Sequence, residues 1–578
     1  MSDLPSENPV DPAPLDRPGG TPAGFATDLL VVGAGTTGLT LALQAHDHGA
    51  RVRIVERRAE PFQPSRAMVM HPRTLELLRP LGVTDALLAR GDSSPSVRLH
   101  LRSRVVDVSS AQLSLPGTAF PQLLLIRQAD VEAVLAAALA ERGVTVERGV
   151  EVARVARLPR GGARAVLRAP AATGPIDAGE QREEVLRCRY LAGCDGAASL
   201  VRRSVGGWLG GDYRQEVVLA DVELATPEAP AAPVALEAGR AHLAIGRPGL
   251  VFLLNRGEQA SWRLFATRRA GDDRLPFGQP GPEVPRAELT ALLEESGLPA
   301  RIDRVSWSAQ LRLQHRIASR FSRGALFIAG DAAHLHSPAG AQGMNAGIHD
   351  AINLGWKLAF GARAAGTAAE AAARPGSALL DSYAQERRPA DRAVLRLTHA
   401  LYWVEASLHP LAQLGRAVLV PLTAPLLPWA SRQPRLTTAV MRTLAQFRLH
   451  YRRSPLSMRL PASPEPVRGG LARRGLRPGS RVADTLVRCA GRRVRLHELL
   501  ATPGVHILLQ ADARPVPERM LEPLVHAYRL DDRPGTGMLV VRPDGYVALR
   551  APVLDEEHLA AWLHLVGLPT DRPRPRSA

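Results

Sequence analysis

Residues 28–58 read DLLVVGAGTTGLTLALQAHDHGARVRIVERR, and the fold turns on them. Residues 29–32 form an apolar, β-branched run, as a strand buried on both faces requires. Gly33, Gly35 and Gly38 follow at G-x-G-x-x-G spacing. The first glycine permits a tight turn, the second lets backbone approach a pyrophosphate, and the third lets helix and strand pack closely. Residues 39–48 are expected to be a helix whose free N–H groups and positive dipole end face the phosphates. Gly49 stops it, and residues 51–55 return as a second strand ending at Glu56. A carboxylate there accepts from a ribose diol and repels a 2′-phosphate, so FAD or NAD is favoured over NADP at this site. A merely structural β-turn-α unit would leave Glu56 unexplained.

Bulk properties narrow the class. A chain of 578 residues holds two to four domains. Hydrophobic content of 45% and charged content of 22% are ordinary for a globular protein. A formal net charge of +17 invites a nucleic-acid reading. Against it, the basic residues are scattered and almost all arginine, with Lys357 the only lysine. No nucleic-acid partner is therefore expected, although a positive field suits an anionic reductant or an acidic phenol. Cys188, Cys194 and Cys489 make no CxxC pair and no metal spacing, so neither a disulfide framework nor a metal site is expected. A cytoplasmic location fits. Residues 1–26 read as a disordered, Pro-rich tail without the basic and apolar regions of a signal peptide. The longest apolar candidate, 417–430, is broken by Pro421, Pro425 and Pro428, so no membrane partner is expected.

Along the chain, helices are expected at 71–78, 129–142 and 197–203, and strands at 144–147 and 150–158. Residues 167–184 read as a polar turn region or hairpin tip, and 190–192 as a short apolar strand. From residue 208 the pattern alternates as in β-structure, with one helix at 285–296. A strand at 326–329 leads through a loop to a helix at 346–360. Residues 379–448 read as mostly helical. The resulting division is 1–26 tail, 27–207 and 316–400 nucleotide domain, 208–315 substrate domain, 401–462 helical segment, 463–481 linker and 482–578 small α/β domain. In that last unit GVHILLQA, TGMLVVRP and YVALRA read as strands, and PERMLEPLVHAY and DEEHLAAWLHLVG as helices.

Two further stretches turn a nucleotide site into a flavin site: GCDGAASLVR at 193–202, and Gly330-Asp331 after the apolar strand. Each alone is a common turn. In this order and at these separations the three motifs resemble those of FAD-dependent aromatic hydroxylases, the single-component (group A) flavoprotein monooxygenases. The likeness covers residues 27–400. The tail resembles the thioredoxin-like C-terminal domain of the phenol and aromatic polyketide hydroxylase branch, without a redox cysteine pair, which implies a structural or dimer-related role. The resemblance implies an α/β fold: a Rossmann-like FAD-binding domain, an inserted antiparallel β-sheet substrate domain and the small α/β tail.

It also implies site residues. Gly33, Ala34, Gly35 and Gly38 would hold the pyrophosphate and Glu56 the adenosine ribose, with Thr37 and Arg57 also among the cofactor-binding residues. Arg66 and Gln128 match residues reaching the phosphate or ribityl region; their plain alternatives are a surface cation and a helix N-cap. Asp195 matches an aspartate associated with FAD and reduced nicotinamide; its plain alternative is capping the next helix. Gly330 and Asp331 would meet the ribityl chain, where a carboxylate acts as pure acceptor. Pro338, Gly340, Gln342, Gly343, Met344 and Asn345 would lie along the isoalloxazine ring. Ala341 departs from the family, where a second glycine is usual. His334, His336 and His349 are read as packing residues, and residues 382–389 (SYAQERRP) as an Arg/Glu network.

The implied chemistry is hydride transfer from NADPH or NADH to FAD, NADPH being the family habit. Uptake of O₂ at flavin C4a then leads to transfer of one oxygen to an electron-rich ring. The substrate implied is a phenol or polycyclic aromatic polyketide. No second nucleotide fold is seen, which fits a transient reductant. No acid or base is assigned; it would lie between residues 208 and 314. Epoxidation, Baeyer–Villiger insertion and isoprenoid reduction without O₂ stay open, as do a basic nucleotide- or nucleic-acid-binding role and a homodimer.

Overall fold

The structure is a computed structural model. It describes residues 24–61, 69–93, 95–101, 104–109, 115–170, 181–225, 236, 240–245, 249–255, 262–270, 281–298, 300–365, 377–407, 409–426, 429–430, 432–460 and 476–568.

Thr27–Val32 lies at the centre of a first sheet, parallel to Gln181–Gly193 on one side and to Val52–Glu56 on the other. Leu326–Ile328 and Val146–Arg148 extend it in parallel. This is the doubly wound arrangement that places a ligand beyond the carboxyl ends of the strands. Leu29, Leu30 and Val31 are buried on both faces, and the helices Thr36–Asp47 and Gly343–Ala364 cover the sheet. Ala163–Pro170 pairs antiparallel with Gln181–Gly193, so the strand expected at 190–192 begins nine residues earlier and forms a hairpin arm.

The second sheet is antiparallel along Ile302–Ala318, Trp208–Leu224, Trp262–Arg269, Leu250–Asn255 and Arg240–Ile245. It does not end there. Ser96–Leu101 joins parallel to Arg240–Ile245, and Arg104–Ser109 follows as a hairpin. The substrate sheet thus draws strands from the segment expected to belong wholly to the nucleotide domain. One face packs on the helix Arg286–Glu295 through Leu289, Leu292 and Leu293. The other face looks toward the flavin motifs.

The third sheet, in the C-terminal unit, centres on Val505–Gln510. One expected helix is corrected: within 517–528 only Glu518–Met520 coils, and Val525–Leu530 is a strand parallel to Val505–Gln510. Pro523 removes the N–H a helix needs there, and burial of Val525 and Leu530 in the sheet decides the rest. This unit shares its core with the flavin domain. Trp356, Phe360 and Leu379 form one apolar cluster with Val505, Ile507, Val540 and Trp562. No helix among the described residues is long and apolar enough to cross a membrane.

Candidate cofactor and substrate site

The glycine loop meets the second motif backbone to backbone. Gly33 has φ +99°, and a Cβ there would stand 2.4 Å from the Cys194 carbonyl oxygen. Cys194 N in turn donates to Val32 O at 2.8 Å. A Cβ at Gly38 would stand 1.9 Å from Gly33 O. Gly38 therefore sets the closeness of helix to strand and does not face the cavity. Ala34 N donates to Glu56 Oε2 at 2.9 Å, and Arg58 N donates to Glu56 Oε1 at 3.1 Å. The carboxylate is fixed at the loop with its remaining lone pairs available.

Asp195 does the capping job weighed from the sequence and keeps one oxygen in reserve. Its Oδ2 accepts from Leu200 N at 2.7 Å and Val201 N at 3.3 Å, capping the helix Leu200–Val205. Its Oδ1 is buried without a hydrogen-bond partner among the described residues. Burial pushes this carboxyl above its usual range. A buried, unsatisfied acceptor is costly unless a donor completes it. Gln128 starts the helix Gln128–Glu141, and its Nε2 donates to Glu132 Oε1 at 2.8 Å. Glu132 was not anticipated. Its carboxylate stands 3.7 Å from where a Cβ on Gly35 would be, and burial raises its pKa.

The third motif closes the site. Gly330 has φ +63°, and a Cβ there would lie 2.5 Å from Thr37 Oγ1; one on Gly347 would lie 2.3 Å away. Thr37 thus sits in a notch left by two glycines. The helix expected at 346–360 begins at Gly343, so its free N–H groups belong to the loop itself. Gln342 Nε2 donates to Leu444 O at 2.8 Å and to Gly340 O at 3.2 Å. Asn345 turns away from the cavity. Its Oδ1 accepts from His71 N at 2.9 Å and Thr74 Oγ1 at 2.6 Å, and its Nδ2 donates to Val69 O at 2.9 Å. It anchors the loop and cannot also serve a ring ligand with its amide. His71 Nε2 donates to Gly340 O at 3.0 Å, which leaves Nδ1 buried and unpartnered among the described residues. Burial lowers the His71 pKa to about 4.

Gly340 has φ 71° and Ala341 has φ 52°. The departure noticed in the sequence is therefore a methyl group held in the left-handed region. Such a conformation costs about 1–2 kcal/mol for a residue with a Cβ, partly offset by the entropy a glycine loses on folding. Ala341→Gly is expected to raise stability by about 0.5–1 kcal/mol in thermal denaturation; a fall would refute a strained loop.

These segments line one cavity of about 1010 Å³. Gly33, Ala34, Gly35, Thr37, Glu56 and Arg57 from the first motif line it together with Gln128, Asp195 and Asp331, and with Pro338, Gly340, Gln342, Gly343 and Met344 of the loop. Gly38, Gly330 and Asn345 stand behind the wall. Arg66 lies outside the described residues. Past the loop the lining turns apolar: Leu219, Leu243, Leu250, Phe252 and Phe265 from the second sheet, Met441 and Leu444 from the helix Pro434–Leu444. Two charged groups stand in this region. Arg263 is paired with Asp221, its Nη2 donating at 2.7 Å. Glu405, near the end of the helix Ser377–Ala406, has a carboxyl pushed up to about 7 by burial. Neither has a spacing signature; Glu405 is, however, the last acid before Glu465.

Behind the loop lies a charged knot. His334 Nε2 donates to Asp350 Oδ2 at 2.7 Å, and Arg387 bonds Asp350 and Asp391 at 2.6 Å each. Burial opposes a charge on His334, but Asp391 and Asp350 hold it protonated, with a pKa of about 9. His334, Asp350 and Asp391 carry donor atoms within 4.8 Å of one another. The Arg387 cation on both carboxylates fills the role a metal would have. His336 bonds His334 Nδ1 at 2.8 Å, and His349 shares a proton with Thr74 Oγ1 at 3.1 Å. His334 is ion-paired, while His336 and His349 are buried and held neutral by that burial.

The sequence of the family described as "FAD binding domain" matches residues 26–398. The chain belongs to this family. It is 32% identical over 575 residues to the 6-methylpretetramide 4-monooxygenase of Streptomyces rimosus, covering 95% of each chain. It is 29% identical over 385 residues to a rifampicin monooxygenase of Rhodococcus hoagii, covering 65% of this chain and 70% of the relative. Among solved structures, the OxyS anhydrotetracycline hydroxylase of Streptomyces rimosus superposes with a TM-score of 0.68 at 26% identity, over 94% of this chain and 100% of its own. CabE, an aromatic hydroxylase from angucycline biosynthesis, gives 0.69 at 25% identity over the same shares. This member of the family is an FAD-dependent monooxygenase, and its α/β fold with a β-rich second domain is the one the three motifs imply.

Proposed function

We propose that the protein hydroxylates a phenolic, polycyclic aromatic compound of polyketide type, held between the flavin loop and the second sheet. One observation carries this reading: the cavity is continuous from Glu56 to an apolar wall of Leu219, Leu250, Phe252 and Phe265. One end suits an extended dinucleotide and the other a flat apolar ring system. The fit to FAD rests on Gly33, Ala34 and Gly35, which bring backbone to the cavity wall, and on the unsatisfied Oδ1 of Asp195. Bound there, FAD supplies the oxygen-transfer chemistry.

The residues divide the remaining work. Backbone N–H groups at Gly33–Gly35 and the start of the helix Thr36–Asp47 meet the pyrophosphate. Glu56, with Arg57 beside it, accepts from the adenosine ribose. Asp331 and Gln128 would hold the ribityl chain and Pro338 to Met344 the ring, with the positive end of the Gly343–Ala364 helix available to a developing negative charge. The apolar wall excludes water from the reacting centre. Glu405 holds or accepts the phenolic proton, its raised pKa matching that task at neutral pH. NADPH is the favoured reductant, acting in the cytoplasm, with the division at 208, 316 and 482, amended so that Ser96–Leu101 and Arg104–Ser109 join the substrate sheet, and a homodimer as part of the same proposal.

The protein as purified should be yellow and should consume O₂ with NADPH, faster when a phenolic polycycle is added. Flavin reduction without O₂ uptake would instead mark a reductase, and a colourless protein that cannot be reconstituted would sink both readings. Glu405→Gln tests the proton role. The kcat/KM profile should lose an ionisation near pH 7. Stability gives a second readout. A carboxyl raised from about 4.5 to about 7 holds more protons folded than unfolded, so its contribution is full below pH 4.5 and fades as pH rises through 7. Relative to the parent, the glutamine variant should gain thermal stability at pH 8 and not at pH 4. Equal shifts at both values would exclude a buried carboxyl.

A further inference from the structure

Among the described residues of 403–440, many large apolar side chains face water. Trp403 and Val404, near the end of the helix Ser377–Ala406, are 43% and 58% exposed. On the helix Pro410–Thr423, Leu411, Leu414, Val418 and Leu422 recur at steps of three or four residues. That spacing makes a single stripe, of the kind that faces a core in a globular domain. Here it faces outward, with Leu411 65% and Leu422 66% exposed, while Ala412 is buried beneath. Leu426 and Trp429, which follow that helix, and Leu436 and Val440 on the helix Pro434–Leu444 are exposed as well. So many large apolar side chains left in water within one segment mark an interaction site.

The charge beside it selects the partner. No aspartate or glutamate occurs between Glu405 and Glu465. Arg432, Arg435, Arg442 and Arg448 are exposed over the same stretch. A two-fold contact between copies of this chain would set the same patch against itself, arginine facing arginine without an acid to answer it. A bilayer with anionic headgroups meets both features at once. Exposed leucine and tryptophan insert at the acyl boundary, and arginines meet lipid phosphates. No described helix is both long and apolar enough to cross, and the helix Pro410–Thr423 has only 14 residues, so the segment would lie in the interface plane.

We propose that the surface of residues 403–440 docks this protein on an anionic lipid bilayer. This departs from the sequence-based expectation of no membrane partner. The same helices supply Glu405, Met441 and Leu444 to the cavity wall, so the docked surface adjoins the end of the cavity that takes an apolar substrate.

The test uses the full-length flavoprotein and sedimentation with vesicles. Vesicles of equal parts phosphatidylcholine and phosphatidylglycerol should carry the protein down, and phosphatidylcholine alone should carry far less. Raising salt from about 0.1 M to about 1 M shortens the Debye length from about 10 Å to about 3 Å and should release it. The triple variant Leu411→Glu, Leu414→Glu, Leu422→Glu should lose binding about tenfold or more while its bound flavin and NADPH oxidation stay unchanged. Brominated lipid should quench Trp403 and Trp429 emission only in the parent protein. The proposal is overturned if the parent stays in the supernatant with anionic vesicles. It is equally overturned if light scattering shows a dimer that the triple variant converts to monomer.

Discussion

Glu386→Ala should lower the unfolding free energy by about 3–5 kcal/mol, the cost of leaving buried cations without their counter-charge. Against a total of about 5–15 kcal/mol for a domain, that is enough to undock the C-terminal unit. Glu386 is 4% exposed. Arg542 grips it with both terminal nitrogens, at 2.6 and 2.8 Å, from the far side of the domain boundary. Lys357 Nζ donates at 2.7 Å and Asn353 Nδ2 at 2.7 Å from the flavin-domain helix. Ser454 adds its hydroxyl. Asp544 alone would then face two buried cations. The exposed pair Arg363–Glu522 spans the same boundary at 2.6 Å. Its removal by Arg363→Ala should cost under about 1 kcal/mol, since solvent screens it. Urea unfolding of both variants measures the contrast. Equal small effects would show that the apolar cluster around Trp356 and Trp562 carries the docking alone.

This network was half legible. SYAQERRP was read as an Arg/Glu network on a helix, and Glu386 and Arg387 do anchor two of them. Their partners Arg542 and Asp350 lie far along the chain or on another helix, and no local pattern marks a pair formed only by docking. The three flavin motifs were legible because backbone approach forbids side chains at fixed spacings. Gly33, Gly38 and Gly330 each leave space that only hydrogen fills. Ala341 was noticed for the same reason, and its positive φ is the structural trace of that oddity.

What stayed hidden is non-local. Ser96–Leu101 joins the second sheet beside Arg240–Ile245, and nothing in either strand's alternation announces a parallel partner so distant in sequence. The helix expected at 517–528 failed because Leu521, Leu524 and Tyr528 fit helical spacing as well as they fit a strand. Short apolar runs do not separate the two, and only the neighbouring Val505–Gln510 decides. The sequence places any acid or base between residues 208 and 314, whereas Glu405, proposed above for the phenolic proton, reaches the cavity from the helix Ser377–Ala406. A carboxylate that acts by burial has no signature until the wall around it is known.

The glycines allow the sharpest separation of fold from cofactor. Gly38→Ala places a methyl 1.9 Å from Gly33 O, in backbone that cannot yield as a side chain does. The helix Thr36–Asp47 must move off its strand, at a cost above the about 1–3 kcal/mol typical of overpacking. The variant should purify colourless and melt earlier. Gly343→Ala differs in kind. Nothing lies within 4 Å of its would-be Cβ, and alanine favours the first turn of the Gly343–Ala364 helix. Stability of the flavin-free protein should therefore hold or rise. Gly343 nevertheless lines the cavity. A methyl there intrudes only on a ligand, so flavin affinity should fall while the apoprotein melt does not. If Gly343→Ala binds FAD as tightly as the parent, the loop from Pro338 to Met344 does not lie along the ring. If Gly38→Ala stays yellow, the close approach of the first helix to Gly33 is not what forms the pyrophosphate site.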